Sequence, residues 1–293
     1  MKEIIVIVGP TGVGKTKLSI ELAKRLDAEI INGDSVAIYK GLDIGSAKPT
    51  IDEREGIPHH LIDIREVEED YSVFDYQKDV REKIKEISSR GKRIIIVGGT
   101  GLYIKAALYN YQFTEGTTYK EYEDKTNEEL YEAIKSYGIN PPELNNRKRL
   151  VRTLNKLENE EPMTNFKDEC LYPIYVIGLT TDRETLYEKI NKRVDVMLQN
   201  GLLEEIESFK DKYPSSRILN SGIGYKEFYD YLYHDKPLEE VVEEIKQNSR
   251  RFAKRQYTFF NHQFDTHWVE VDLNNFQNTM DEVMEDIQKK ENE

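Results

Sequence analysis

The chain has 293 residues, of which 38% are hydrophobic and 33% charged, with a formal net charge of −13 at pH 7. That balance suits a globular enzyme. It leaves no apolar stretch of membrane-spanning length and, averaged over the chain, argues against general adhesion to nucleic acid. A single cysteine, Cys170, excludes an internal disulfide and a cysteine-built metal cage. With no leader-like pattern before the first strand, the expected location is the cytoplasm.

Ile4 to Val8 is a continuous β-branched run of the kind a buried parallel strand needs. It leads into Gly9-Pro10-Thr11-Gly12-Val13-Gly14-Lys15-Thr16, which fits G-x-x-x-x-G-K-[ST] at every fixed position. Leu18, Leu22 and Leu26 then recur at helical spacing. Strand, glycine-rich turn and helix make a phosphate cradle, because free N–H groups and the helix dipole converge on one spot. Lys15 adds a point charge there, and Thr16 is placed to hold a Mg²⁺ on phosphate oxygens.

Ala28 to Asn32 reads as a second strand, ending at Gly33-Asp34-Ser35. Residues 36–72 are turn-rich and are expected to form a flap over a second substrate. Tyr76, Val80, Ile84 and Ile87 form a helical stripe that stops near Gly91, and Arg93 to Val97 is a third strand closed by Gly98-Gly99-Thr100-Gly101. Leu102 to Leu108 starts another helix. Residues 113–145 are polar and rich in tyrosine (Tyr109, Tyr111, Tyr119, Tyr122, Tyr131 and Tyr137 in and just before them) and look like an insertion of short helices. Asn146 to Leu157 is a basic-faced helix, Pro173 to Leu179 a fourth strand, and Asp182 to Phe209 a charged helical stretch broken at Gly201. After a turn at 221–225, a helix over 239–260, a strand over 268–271 and a closing helix with Phe276, Met280, Val283, Met284 and Ile287 on one face complete the chain. Alternating strands and helices predict an α/β, three-layer core with a mainly parallel sheet.

Two runs depart from the acidic average. Lys246, Arg250, Arg251, Lys254 and Arg255 fall in a stretch without acidic residues and with interleaved aromatics, and Arg147-Lys148-Arg149 is followed by Arg152. Such patches on an acidic chain point to confined anionic sites.

P-loops mostly serve phosphoryl transfer, which usually wants an acidic residue at the end of a neighbouring strand. The third strand ends in Val97-Gly98-Gly99-Thr100 instead. The acid stands at Asp34, at the carboxyl end of the second strand, where ligands of open α/β sheets sit. A carboxylate there suits proton abstraction from a nucleophile. His59-His60 admits a metal or acid–base role, but adjacent histidines point different ways, and a structural role is the simpler reading. Read from residues alone, two other functions stay open: a P-loop kinase of a nucleoside or small metabolite, and a nucleotide-switched RNA-binding protein.

GPTGVGKT (9–16), DSVAIYKGLDIGSAKP (34–49), PHHLID (58–63), VGGTGLY (97–103), NRKRLVR (146–152), GIGYKE (222–227) and RRFAKRQ (250–256), in this order, resemble the bacterial tRNA dimethylallyltransferases, also called tRNA isopentenyltransferases. The resemblance implies a P-loop NTPase-like core with a helical insertion. It implies transfer of the dimethylallyl group from dimethylallyl diphosphate to N6 of adenosine 37, in the tRNA anticodon stem-loop, by a cytoplasmic, monomeric, Mg²⁺-dependent enzyme without zinc. The P-loop residues 9–16 and Arg250 would then hold the diphosphate, and Lys15 would stabilise its developing charge. Asp34 would act as base or orienter, and Thr100 would lie near the bridging oxygen and the adenine. Ser35, Val36 and Ala37, with Arg147, Lys148, Arg149, Arg251, Lys254 and Arg255, would contact tRNA. The core would comprise residues 1–113 and 246–293. Residues 114–245 would be a mostly helical tRNA-binding region, interrupted by the core strand at 173–179.

Overall fold

The structure, a computed structural model, describes residues 2–113, 120–161 and 166–291. In chain order the larger elements are β1 (Ile4–Val8), α1 (Lys15–Leu26), β2 (Ala28–Asn32), β3 (His59–His60), α2 (Val73–Ser89), β4 (Arg93–Val97), α3 (Gly101–Leu108), β5 (Tyr109–Tyr111), α4 (Asn127–Ser136) and α5 (Arg147–Glu158). There follow β6 (Phe166–Cys170), β7 (Ile174–Thr180), α6 (Arg183–Gln199), α7 (Leu202–Ser208), α8 (Tyr229–Tyr233), α9 (Leu238–Gln263), β8 (Thr266–Glu270) and α10 (Phe276–Glu291).

The chain folds into two compact units, Met1–Leu108 with Leu171–Glu293, and Tyr109–Cys170. Residues 180–245, grouped with the insertion on sequence after the core strand at 173–179, therefore belong with the first unit. The reason is visible in α6, whose Leu186 and Ile190 sit in the same core cluster as Ile5, Ile7 and Leu18.

In the first unit six strands form a parallel sheet in the order β3-β2-β4-β1-β7-β8. Side chains of a strand alternate between faces. Ile5 and Ile7 of β1 join residues of α1, α6 and α10 in one cluster. Ile4, Val6 and Val8 are equally buried on the other face, where α2 packs toward β2, β4 and α3. Both faces are thus covered, which is why β1 and residues 94–97 of β4 read as unbroken hydrophobic runs. Trp268 of β8 lies over Gly178 of β7, where an added Cβ would stand 2.4 Å from the indole.

The segment between β2 and α2, a flap on sequence, is tied down by its own core. Ile38, Tyr39 and Leu42 are buried, and the buried Lys48 Nζ donates to the Tyr39 carbonyl at 2.8 Å and to Asp43 and Asp63 at 2.7 and 2.5 Å. His59 and His60 pair as β3 with Ile30 and Ile31.

The second unit holds the antiparallel pair β5–β6 and the helices α4 and α5. Thr126 caps α4 in a capping box with Glu129, and Asn146 caps α5 by accepting from Arg149 N–H. Leu130, Ile134, Leu150 and Leu154 close its small core together with Tyr122, and Tyr131 packs against it. Tyr119 lies outside the described residues.

Candidate active site

The P-loop joins β1 to α1. Gly9 has φ 133°, and a Cβ there would stand 2.5 Å from the Leu179 carbonyl oxygen. Gly14 precedes α1 with φ 95°, and a Cβ there would meet the Phe276 ring at 2.7 Å. Both positions demand glycine on conformation and on space. Lys15 Nζ donates to the Gly9 and Pro10 carbonyls at 3.0 and 2.7 Å. Burial lowers its pKa, the Asp34 carboxylate partly restores it, and Arg193 adds to the depression, leaving it at about 8.

Asp34 follows β2 in a turn that Asn32 holds. Asn32 Oδ1 accepts from Asp34 N–H at 2.9 Å, while its Nδ2 donates to the Asp34 and Leu61 carbonyls at 2.8 and 3.0 Å. The Asn32 carbonyl in turn accepts from the buried Tyr76 hydroxyl at 2.8 Å. Thr100 comes from the neighbouring strand end. Its N–H donates to the Gly33 carbonyl at 3.0 Å, and its Oγ1 accepts from Ser35 N–H at 3.0 Å. The hydroxyl lies 3.3 Å from both Asp34 Oδ1 and Ser35 Oγ. The two strand ends come this close because Gly98 lacks a Cβ, which would sit 2.2 Å from the Gly33 carbonyl carbon.

P-loop and strand ends open on one cavity of about 470 Å³. Lys15, Thr16, Asp34, Thr100, Arg193 and Arg255 are among its polar groups. Ile190, Val194, Ile223, Ile245 and Phe252 supply an apolar wall. One chamber therefore combines a cationic phosphate cradle, a carboxylate with a hydroxyl beside it, and an apolar surface. That set suits an anionic leaving group, a nucleophile that must lose a proton, and a hydrocarbon between them.

The sequence profile of the IPP transferase family matches residues 37–263. A tRNA dimethylallyltransferase of Bacillus velezensis is 48% identical, the match covering 92% of this chain and 90% of that protein. One of Enterococcus faecalis is 45% identical over the full length of both.

The chain belongs to the IPP transferase family.

Among solved structures, a tRNA isopentenylpyrophosphate transferase of Staphylococcus epidermidis superposes with a TM-score of 0.75 at 38% identity, covering 98% of this chain and 100% of that one. A eukaryotic dimethylallyltransferase described as acting on tRNA gives a TM-score of 0.78 at 26% identity, over 97% of this chain and 78% of the other. In this chain, several residues singled out on sequence line the cavity: Thr11, Gly12, Gly14, Lys15, Thr16, Asp34, Ser35, Val36, Ala37, Thr100 and Arg255. Gly9 and Pro10 act through their carbonyls on Lys15, and Val13 is buried in the core. Arg250, expected beside the diphosphate, is not among the lining residues, and its Nη1 donates to Asn191 Oδ1 at 2.5 Å. Arg251 and Lys254 are exposed on α9. Arg147, expected on RNA, is engaged within its own unit. Its guanidinium donates to the Lys125 and Tyr122 carbonyls at 2.8 and 2.6 Å and to Asn127 Oδ1 at 3.1 Å. Lys148 and Arg149 are exposed on α5.

Sequence reasoning missed Arg193, Lys226 and Gln256, which also line the cavity. Arg193 stands next to the apolar stripe Leu186, Ile190, Val194 of α6, and a cation at that place was a readable signal. Burial lowers its pKa against the pull of Asp34. A further pair works from behind. Glu205 accepts backbone N–H bonds from Asp43, Ile44 and Gly45 at 3.0, 2.7 and 3.2 Å, and takes the Tyr225 hydroxyl at 2.8 Å. Tyr225 Oη accepts from Ser46 N–H at 3.1 Å. This clasp joins the 43–46 and 222–227 motifs and fixes the turn that carries Ser46 and Ala47 to the cavity.

Proposed function

We propose that this chain transfers the dimethylallyl group of dimethylallyl diphosphate to N6 of adenosine 37 in the tRNA anticodon stem-loop, releasing diphosphate. The single observation that carries the reading is Asp34 Oδ1 and Thr100 Oγ1, 3.3 Å apart, in the cavity that also holds the P-loop lysine. The names of the related proteins given above support the same reaction.

The C1–O bond of the donor breaks, and its electron pair leaves with the diphosphate. Lys15, Arg193 and the P-loop N–H groups stabilise that charge as it develops. The N6 lone pair forms the new bond to C1, and the N6 proton passes to Asp34. Thr100 holds the carboxylate in place through its hydroxyl. The apolar wall takes the C5 tail and keeps water from the allylic carbon. The target base leaves its stack to enter, at least cost from a single-stranded loop.

A hard cation fits the donor set. Thr16 is exposed in the first turn of α1 and lines the cavity, and Mg²⁺ takes few protein oxygens when phosphates and water supply the rest. Thr16 would hold it, and when bound it supplies charge neutralisation at the diphosphate. Among the described residues no group of three or more His, Cys, Asp or Glu is set to hold a metal. Nor is any helix there long and apolar enough to cross a membrane. The reading puts the enzyme in the cytoplasm, working as a monomer without zinc. Lys148 and Arg149 of the second unit, and Arg251, Lys254 and Arg255 of α9, are its candidate tRNA contacts.

The test is the modified nucleoside. An anticodon stem-loop with A36-A37 is incubated with the donor, Mg²⁺ and enzyme, then digested and weighed. N6-dimethylallyladenosine is expected, and none from the A37→G stem-loop. Product independent of A37 would overturn the assignment of the target.

A further inference from the structure

Gln256 of α9 is 5% exposed and lines the cavity. Its Nε2 donates to the Gly99 carbonyl at 3.0 Å. That bond fixes which end of the amide is which, since an oxygen could not face the carbonyl. Its Oε1 is buried with no hydrogen-bond partner among the described residues. An unmade bond at a buried acceptor costs about 1–3 kcal/mol, and buried amide oxygens are normally satisfied by protein or water. The apolar alternative, a methionine of similar length, would avoid that cost. The amide also sits close to the reacting groups. Gln256 Nε2 and Asp34 Oδ1 lie 2.1 and 3.9 Å from one point, the place of a Cβ on Gly99, so they are no more than about 6 Å apart.

We infer that Gln256 is a specificity-determining residue, its Oε1 accepting the second N6–H of the target adenine while Asp34 accepts the first. The inference rests on the reading given under Proposed function. An aromatic amine has two in-plane N–H groups and a lone pair normal to the ring. Two acceptors on the two hydrogens stand roughly 5 Å apart at ordinary N–H···O lengths. Holding both aims the lone pair at C1 of the donor and raises its electron density. It also selects for a base with an exocyclic amine at this place. A keto oxygen, as in guanine or hypoxanthine, would meet two acceptors. The terminal torsion of glutamine is soft, so the amide turns as a unit when the base enters, giving up the Nε2 bond to the Gly99 oxygen as Oε1 takes the N6–H.

Binding separates this from a bracing role for Gln256 on the Gly99–Thr100 turn. Affinities are measured for anticodon stem-loops carrying adenine or unsubstituted purine at position 37, with wild-type enzyme, Gln256→Met, Asp34→Ala and the double variant. Diphosphate binding and melting temperature serve as folding controls. Wild type should prefer adenine over purine, Asp34→Ala should keep roughly a 3- to 10-fold preference, and Gln256→Met should lose that share, as should the double variant. These factors correspond to about one neutral hydrogen bond. An adenine-to-purine ratio untouched by Gln256→Met, in a variant that still binds diphosphate, would overturn the proposal. So would a preference that vanishes with Asp34→Ala alone. If wild-type enzyme transfers no prenyl group to any tRNA, the underlying function fails instead, which the transfer assay reads separately. A Gln256→Met protein that melts early and loses diphosphate binding hands the decision to Asp34→Ala alone.

Discussion

A lysine with its pKa pushed down to about 8 is mostly charged at pH 7 and mostly neutral by pH 9. The charged form is the one a diphosphate needs. Donor affinity should therefore fall as pH rises through about 8, and Lys15→Arg should move that fall beyond the accessible range. Diphosphate Kd measured from pH 7 to 9.5 checks this, and a flat wild-type curve contradicts it. Lys15→Ala should cost about 10²–10³ in turnover at saturating donor, the usual loss for one donor to a developing anion. Asp34→Ala should slow single-turnover chemistry by about 10²–10⁴ while lowering tRNA affinity by no more than the one hydrogen bond it makes to N6, far less than the loss in rate. A collapse of affinity with normal chemistry on bound RNA would make Asp34 a binding residue. These residues were legible because P-loop spacing and strand ends are local features. Gln256 was not, because what brings it to the cavity is the distant Gly99 turn it faces, which no local pattern encodes, whereas Arg193 left only the weaker signal of a cation beside the apolar stripe of α6.

Among the elements, α5 divides its own basic knot. Arg147 donates to two carbonyls and to Asn127 within its unit, whereas Lys148 and Arg149 face solvent. Arg147→Ala should destabilise that unit by about 1.5–3 kcal/mol, the range for hydrogen bonds from a charged group. Lys148→Ala with Arg149→Ala should leave its stability within about 0.5 kcal/mol. Hydrogen exchange of α4 and α5 amides distinguishes the two, and equal protection in both variants would contradict the division. Sequence alone saw three like charges in a row and had no means to know which one folds back. The same limit hid β5 and β6, since YNY is too short to set a period and FKDEC carries three charges in a row. By contrast β1, β2 and β4 were readable to the residue, since burial on both faces writes itself as the Ile and Val run of β1, the Ile-Ile-Ile-Val of β4 and the Ile-Ile centre of β2.

For the molecule as a whole, a net charge of −13 and an RNA substrate are compatible because screening is short-ranged. Within about 8 Å at physiological salt, a phosphate near Arg251 and Lys254, or near Lys148 and Arg149, meets cations before it meets the distant carboxylates. tRNA binding should weaken with salt, each neutralised phosphate adding about 0.7–0.9 to the log–log slope. Replacing Lys148 and Arg149 should shallow that slope by roughly 1–2 and leave use of the donor unchanged. An unchanged slope would assign them to a solvated face. At this scale the parallel α/β core followed from the alternation of elements. The extent of the second unit did not, because α6 carries as much surface charge as an insertion helix while its buried stripe belongs to the main core.

On the proposed function, the P-loop grips a leaving diphosphate. The most direct measurement follows a donor labelled in both its carbon skeleton and its phosphorus, with tRNA and Mg²⁺, beside a parallel reaction with γ-labelled ATP. The expected result is carbon label in the RNA at A37, phosphorus label in free diphosphate in equal amount, and none from ATP in either. Phosphorus label in RNA or in any phosphorylated product, or carbon label that never reaches RNA, would contradict it.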